Sequence, residues 1–248
     1  MLTELADGVW VAEHDFRMGL IDFGGRMTVL RLEDGSLLLY SPIAIDDALA
    51  SAIAKVGEVR HLLAPSAMHH VFLDAASARY PAATVHAPPA LVAKRPKARV
   101  DAVLAPGAPS PFGAGIETLT VAGVPKVDEV ILFHRPSRSL VVCDLVFHVH
   151  EARGWISPLF FRLIGAWRRV QQGPLWRSLT KDRAAAERSL EPMWGWDFDR
   201  VIVAHGRILE GPDAKARLAE GLRWMCPSRA TRALPAPAQE PVARSGSR

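Results

Sequence analysis

Residues 123–147 read GVPKVDEVILFHRPSRSLVVCDLVF. Two apolar runs, Asp128 to His134 and Ser139 to Cys143, flank the turn Arg135-Pro136-Ser137-Arg138, and Asp144 closes the second run. Apolar, β-branched residues bounded by a proline turn predict two strands of one sheet. A carboxylate directly after a buried run is costly unless it is paired, hydrogen-bonded or bound to a metal. Asp144 is therefore a candidate ligand.

Two other segments end in the same way. RVIVA (200–204) leads into His205-Gly206, where Gly206 allows close backbone approach. RHLLAP (60–65) leads, through a short break, into His69-His70. Side chains at the carboxyl ends of strands face the crevice in which α/β proteins bind ligands. Three strand ends presenting His69 and His70, Asp144 and His205 make a nitrogen and oxygen donor set suited to zinc, iron or manganese.

The flanking pattern sets the architecture. From Gly8 to Tyr40 the alternation of GVWVAEH and RMTVLRL, with the Asp34-Gly35 turn before SLLLY, predicts antiparallel strands. Ile45, Ala48, Leu49, Ala52, Ile53 and Val56 recur at helical spacing, and Gly57 stops that helix. A strand over 59–64, a helix carrying Val71 to Ala78, the strand ATVHA and a brief helix in PPALVAK follow. Ile116 to Ala122 adds a further strand. Residues 155–196 read as helical with an interruption at Gly173-Pro174, and a last helix spans about 212–225. Strands and helices alternate too regularly for a sandwich of sheets alone, and hairpins are too frequent for a doubly wound parallel sheet. The expected class is α/β (α+β), two mixed sheets flanked by helices in one domain over residues 1–225. Residues 226–248, rich in Pro, Ala, Arg and Ser, read as a disordered basic tail.

Composition narrows the function classes. The formal net charge is +4, and the tail alone holds four arginines against Glu240, which leaves residues 1–225 almost neutral. A nucleic-acid footprint would need clustered Lys and Arg on the folded part, so no nucleic-acid partner is expected. Two cysteines, Cys143 and Cys226, form no disulfide framework and fit a reducing compartment. With no apolar leader after Met1, a cytoplasmic location is expected. The apolar stretch Trp155 to Val170 is too short and too charged to span a bilayer. Its apolar face is expected to pack on the core or on a second subunit, giving a possible homodimer through the Trp155–Trp196 helices, with membrane-surface docking as the lesser reading.

The hairpin ending at Asp144, the segment VIVAHGRILEG (201–211) and LLAPSAMHHVFLDAA (62–76) together resemble the metallo-β-lactamase superfamily over roughly residues 8–225. GRMTVLRLEDGSLLLYSP, the His-His pair and the FHRPSR turn are similar to an uncharacterised bacterial family of unknown function assigned to that fold. The resemblance implies an αββα sandwich with metal ligands at His69, His70, Asp144 and His205. It places His69 where the superfamily has an aspartate, and leaves Pro65, Ala67 and Gly123-Val124 where the other ligands of a dinuclear centre would stand. What it implies is one divalent ion, zinc or iron, and mononuclear hydrolysis of a small-molecule ester, lactone or phosphoester. A non-catalytic binder and an iron-dependent oxidoreductase are the alternatives. His148 and His150, Asp128 and Glu129 are further ligand candidates. Cys143 reads as buried structure, Asp74 as a hydrogen-bond partner for His70, and Arg26 and Arg31 have no assigned role.

Overall fold

The structure, a computed structural model, describes residues 1–229. The 19 tail residues beyond Arg229, which the sequence reads as disordered, lie outside the described part.

Seven strands form the first sheet: β1 (Leu2–Ala6), β2 (Val9–His14), β5 (Gly25–Arg31), β6 (Leu37–Tyr40), β7 (Val59–Leu63), β8 (Thr84–Ala87) and β9 (Ala102–Val103). The pairings β1–β2, β2–β5 and β5–β6 are antiparallel, and the remaining three are parallel. The second sheet runs β10 (Ile116–Thr120), β11 (Val130–His134), β12 (Ser139–Val141), β13 (Arg200–Ile202), β14 (Leu209–Glu210), all antiparallel except β12–β13. A two-stranded hairpin, β3 (Arg17–Met18) with β4 (Ile21–Asp22), projects between β2 and β5.

The period-2 alternation of each strand divides its residues between two cores. In LLLY, Leu37 and Leu39 face helices α1 (Asp47–Val56), α2 (Leu73–Arg79) and α3 (Pro89–Lys94), while Leu38 and Tyr40 face the opposite sheet. In the second sheet Ile131, Phe133 and Val201 face α6 (Arg183–Gly195) and α7 (Ala214–Gly221), while Val130, Leu132 and Ile202 meet the first sheet. Burial on both faces explains why these strands read as continuous apolar runs. The layers are helix, sheet, sheet, helix, as expected.

Four local expectations are corrected. The polar edge strand β1 and the two-residue β14 carry too little apolar alternation to be read from sequence. Residues 155–196 do not form one interrupted helix. They form α4 (Ile156–Leu163), α5 (Pro174–Leu179) and α6, because Gly165 turns left-handed at φ 76° and the chain returns to pair Trp167 with Val149 and Gln171 with Phe147. Asp74 pairs with Arg95 at 2.7 Å rather than with His70. The folded part also continues past residue 225: Cys226 is fully buried in the second core, and Arg229 pairs with Glu191.

A half-buried histidine set against a buried one in the first sheet is expected to give the fold a pH dependence. His61 Nδ1 lies 3.0 Å from His86 Nε2, with the Phe112 ring against both. Burial, helped by the charge of His61, pushes His86 down to about 4. The unfolded chain takes up this proton near pH 6.5 and the folded chain only near 4, so stability falls as pH drops through that window. Urea midpoints are expected to show about 2 kcal/mol less stability at pH 5 than at pH 7.5 from this group. A His86→Leu variant is expected to flatten the curve by a similar amount.

Candidate metal centre

Three strand ends meet at one edge of the sandwich. His69 lies in the loop after β7, where the Ser66 hydroxyl accepts from the backbone N–H groups of Met68 and His69. Asp144 follows β12, and His205 follows β13. His69 Nε2 stands 3.1 Å from His205 Nε2 and 3.3 Å from Asp144 Oδ2, and His205 Nε2 stands 3.3 Å from Asp144 Oδ1. One ligand atom from each residue falls within 4.8 Å of the others. Ligands of a tetrahedral zinc at 2.0–2.1 Å are about 3.3 Å apart, so these separations fit one ion.

The donors are held from behind. His205 Nδ1 donates to the Gly24 carbonyl at 2.9 Å, which holds the ring with Nε2 facing the cluster. Its ring also stacks on Phe147 at 5.1 Å with 8° between planes. The Ser41 hydroxyl is 2.9 Å from His69 Nδ1, and Ser41 itself sits in the left-handed region at φ 56°. A non-glycine residue held there marks a position over-determined by its surroundings.

Glu129, weighed from sequence as a ligand, serves the site differently. It is fully buried and accepts from the backbone N–H of Cys143 (2.7 Å) and of Asp144 (3.0 Å), and from the Trp176 indole at 3.3 Å. Burial, with the Asp144 charge adding to it, pushes its carboxyl up to about 8. Burial alone would raise Asp144 too. The His69 charge and hydrogen bonds from His205 and His69 outweigh it and hold Asp144 well below the carboxylate range. His69 is raised despite its burial, through the charge and hydrogen bond of Asp144.

Arg26 now has a role that sequence reading did not supply. Its buried guanidinium donates to the carbonyls of Val203 (2.5 Å) and Gly206 (2.8 Å) and to Glu13. It thus ties β5 to the chain on both sides of His205. Arg31 lies over the Trp10 ring, away from the centre.

His70 does not join the group. Its Nδ1 accepts from Arg95 at 3.5 Å, and burial beside Lys94 and Arg95 lowers its pKa. Adjacent side chains in this turn diverge, so the structure brings together three of the four expected residues and leaves His70 apart. His148 and His150 face each other, Nε2 to Nε2 at 2.8 Å, beside Arg217 rather than beside Asp144. Asp128 accepts from the Ala90 N–H at the start of α3. Cys143 is buried between the sheets with its thiol raised well above the usual value by that burial.

The open side of the three donors faces a cavity of about 300 Å³. His69, Asp144 and His205 form its floor, and Phe23, Phe147, Phe160, Ile164, Leu175 and Trp176 make apolar walls. A larger cleft of about 740 Å³ runs alongside, lined by Glu13, Asp15, Arg26 and Arg207 but by none of the three donors.

The family described as Domain of unknown function (DUF4336) matches residues 6–161. No curated protein matches. Among solved structures the chain is similar to the DIM-1 metallo-β-lactamase, with a TM-score of 0.63 at 14% identity over 94% of this chain and 97% of that one. It is similar to the FIM-1 metallo-β-lactamase from Pseudomonas aeruginosa in its mono-zinc form, with a TM-score of 0.59 at 11% identity over 95% and 96%. A flavodiiron protein from Giardia intestinalis overlaps with a TM-score of 0.63 at 13% identity, over 91% of this chain but 59% of that one. At these identities the likeness establishes the fold, which is that of the metallo-β-lactamases.

Proposed function

We propose that this chain, which belongs to the DUF4336 family, is a mononuclear metal-dependent hydrolase of an ester, lactone or phosphoester that carries an apolar group. The observation that carries the reading is the convergence of His69, Asp144 and His205 on one point whose open side is an apolar cavity. Two imidazoles and a carboxylate form the three-protein-ligand set of catalytic zinc sites, which keep a fourth position open. A divalent ion bound there, zinc or iron, would act as a Lewis acid and lower the pKa of a water toward neutrality.

The remaining work falls to the chain itself. The Gly24 carbonyl keeps His205 in the tautomer whose Nε2 is a donor atom. Glu129 fixes the backbone that carries Asp144 and does not line the cavity, so it positions a ligand rather than moving a proton to substrate. The aromatic walls exclude water and hold the apolar part of the substrate beside the donors, which raises the local strength of every polar contact.

Metal analysis of protein purified without chelator is expected to find close to one equivalent, lost in His205→Ala. p-Nitrophenyl esters of increasing acyl length, assayed with and without added metal, are expected to show metal-dependent turnover that peaks where the chain fills the cavity. That length is about eight to ten carbons, since the cavity has room for roughly ten groups of water size. Bound metal without turnover would favour the non-catalytic reading. Absence of metal, with His205→Ala as stable as the parent, would overturn the assignment.

A further inference from the structure

We infer that the face around the cavity mouth docks on the surface of an anionic phospholipid bilayer. From Ala152 to Lys181 the chain holds six cations, Arg153, Arg162, Arg168, Arg169, Arg177 and Lys181, and no Asp or Glu. Among the described residues only Arg153 of these forms an ion pair, with Asp15. The same segment exposes large apolar side chains. Trp155 and Leu163 are 77% and 78% exposed, and Leu159 is 46% exposed. Trp155 at the N-cap of α4 and Leu159 and Leu163 within it stand at i, i+4 and i+8, on one face, while Ser157 and Phe161 turn inward.

Two neighbouring elements extend the patch. The hairpin β3–β4 presents Met18 and Leu20, 59% and 76% exposed, and packs against α4 through the Asp22 N–H to Ser157 Oγ bond at 2.9 Å. Leu175 opens α5 and is exposed as well. Met18 and Leu175 both also line the apolar cavity, so the mouth of that cavity opens within this face.

Charge selects the occupant. A second copy seated on this face would bring Arg162, Arg168 and Arg169, exposed beside α4 and without an ion pair among the described residues, against their own copies, which opposes association at close range. A negatively charged lipid surface complements them, and a helix with apolar residues on one face flanked by Arg is suited to the headgroup boundary. No helix of the described residues is long and apolar enough to cross a membrane, so the contact is interfacial. The inference stands apart from the hydrolase reading, because docking requires neither metal nor turnover.

The test is co-sedimentation of the full chain with vesicles of phosphatidylcholine alone and of phosphatidylcholine mixed with phosphatidylglycerol. Binding is expected to the mixed vesicles only, and to weaken sharply at high salt. Trp155→Ser combined with Leu163→Ser is expected to reduce it by about tenfold or more while the circular dichroism spectrum is retained. Both substitutions leave the charge intact, so the basic residues of the tail are not what they report. Three results would overturn the inference: protein that stays in the supernatant, a double variant that binds as well as the parent, or a dimer in solution that this variant dissociates.

Discussion

Asp144→Asn is expected to weaken metal binding by more than about 100-fold. Removing groups that merely orient a ligand costs about 10–100-fold, and on the proposed reading Asp144 is itself a ligand beside His69 and His205. The asparagine fits the same space and can still donate its backbone N–H to Glu129. It removes the negative charge that both imidazoles face at 3.3 Å, so His69 loses the partner that raises its pKa. Competition titrations against a chromogenic chelator would measure the change. Glu129→Gln should fall between the parent and this variant, because one of its two backbone contacts then meets an amide NH2 in place of a carboxylate oxygen. Equal affinity in Asp144→Asn and the parent would mean that the metal sits elsewhere.

The convergence of His69, Asp144 and His205 was legible because each obeys a local rule. A polar residue soon after a buried apolar run needs a reason, and the segments that follow β7, β12 and β13 each hold one. Glu129 obeys the mirror of that rule, a carboxylate directly before the buried strand β11. Its partners, however, are backbone groups 14 and 15 residues away, and no local pattern announces them. The Gly24 carbonyl that orients His205 is 181 residues distant, and Arg26 reaches Val203 across 177. Such contacts are created by the packing of one sheet on the other. His70 stands apart from the cluster for the opposite reason: sequence adjacency does not carry direction, and long-range contacts, Ser41 to His69 and Arg95 to His70, accompany the divergence of the two neighbouring imidazoles. Likewise, the apolar spacing of Trp155, Leu159 and Leu163 identifies a helix face without identifying what covers it. The core takes Phe161 instead.

Gly206→Ala is expected to destabilise the fold by more than about 4 kcal/mol. Gly206 has φ 97°, and a Cβ there would lie 2.1 Å from the His148 carbonyl oxygen, 2.4 Å from its carbon and 2.7 Å from the Val149 nitrogen. All three are backbone atoms, so no side chain can swing aside. Relief requires the strand end at His205 to part from residues 148–149, which breaks the His148 N–H to His205 carbonyl bond (3.2 Å) and the Arg207 N–H to His148 carbonyl bond (2.8 Å). The Arg26 contact to the Gly206 carbonyl is then lost as well, leaving a buried guanidinium short of a partner. Sequence reading assigned Gly206 to close backbone approach, and the approaching group is the chain after Asp144 rather than a ligand. Gly35→Ala supplies the control, because Gly35 has φ 82° with nothing within 4 Å of its Cβ position. It isolates the cost of a left-handed alanine, about 1–2 kcal/mol. Urea denaturation of the two variants therefore separates backbone strain from collision. Since His205 is carried on the displaced segment, Gly206→Ala should lose metal along with stability, whereas Gly35→Ala should keep it. A Gly206→Ala protein no less stable than Gly35→Ala would show that residues 148 and 206 do not approach as the structure has them.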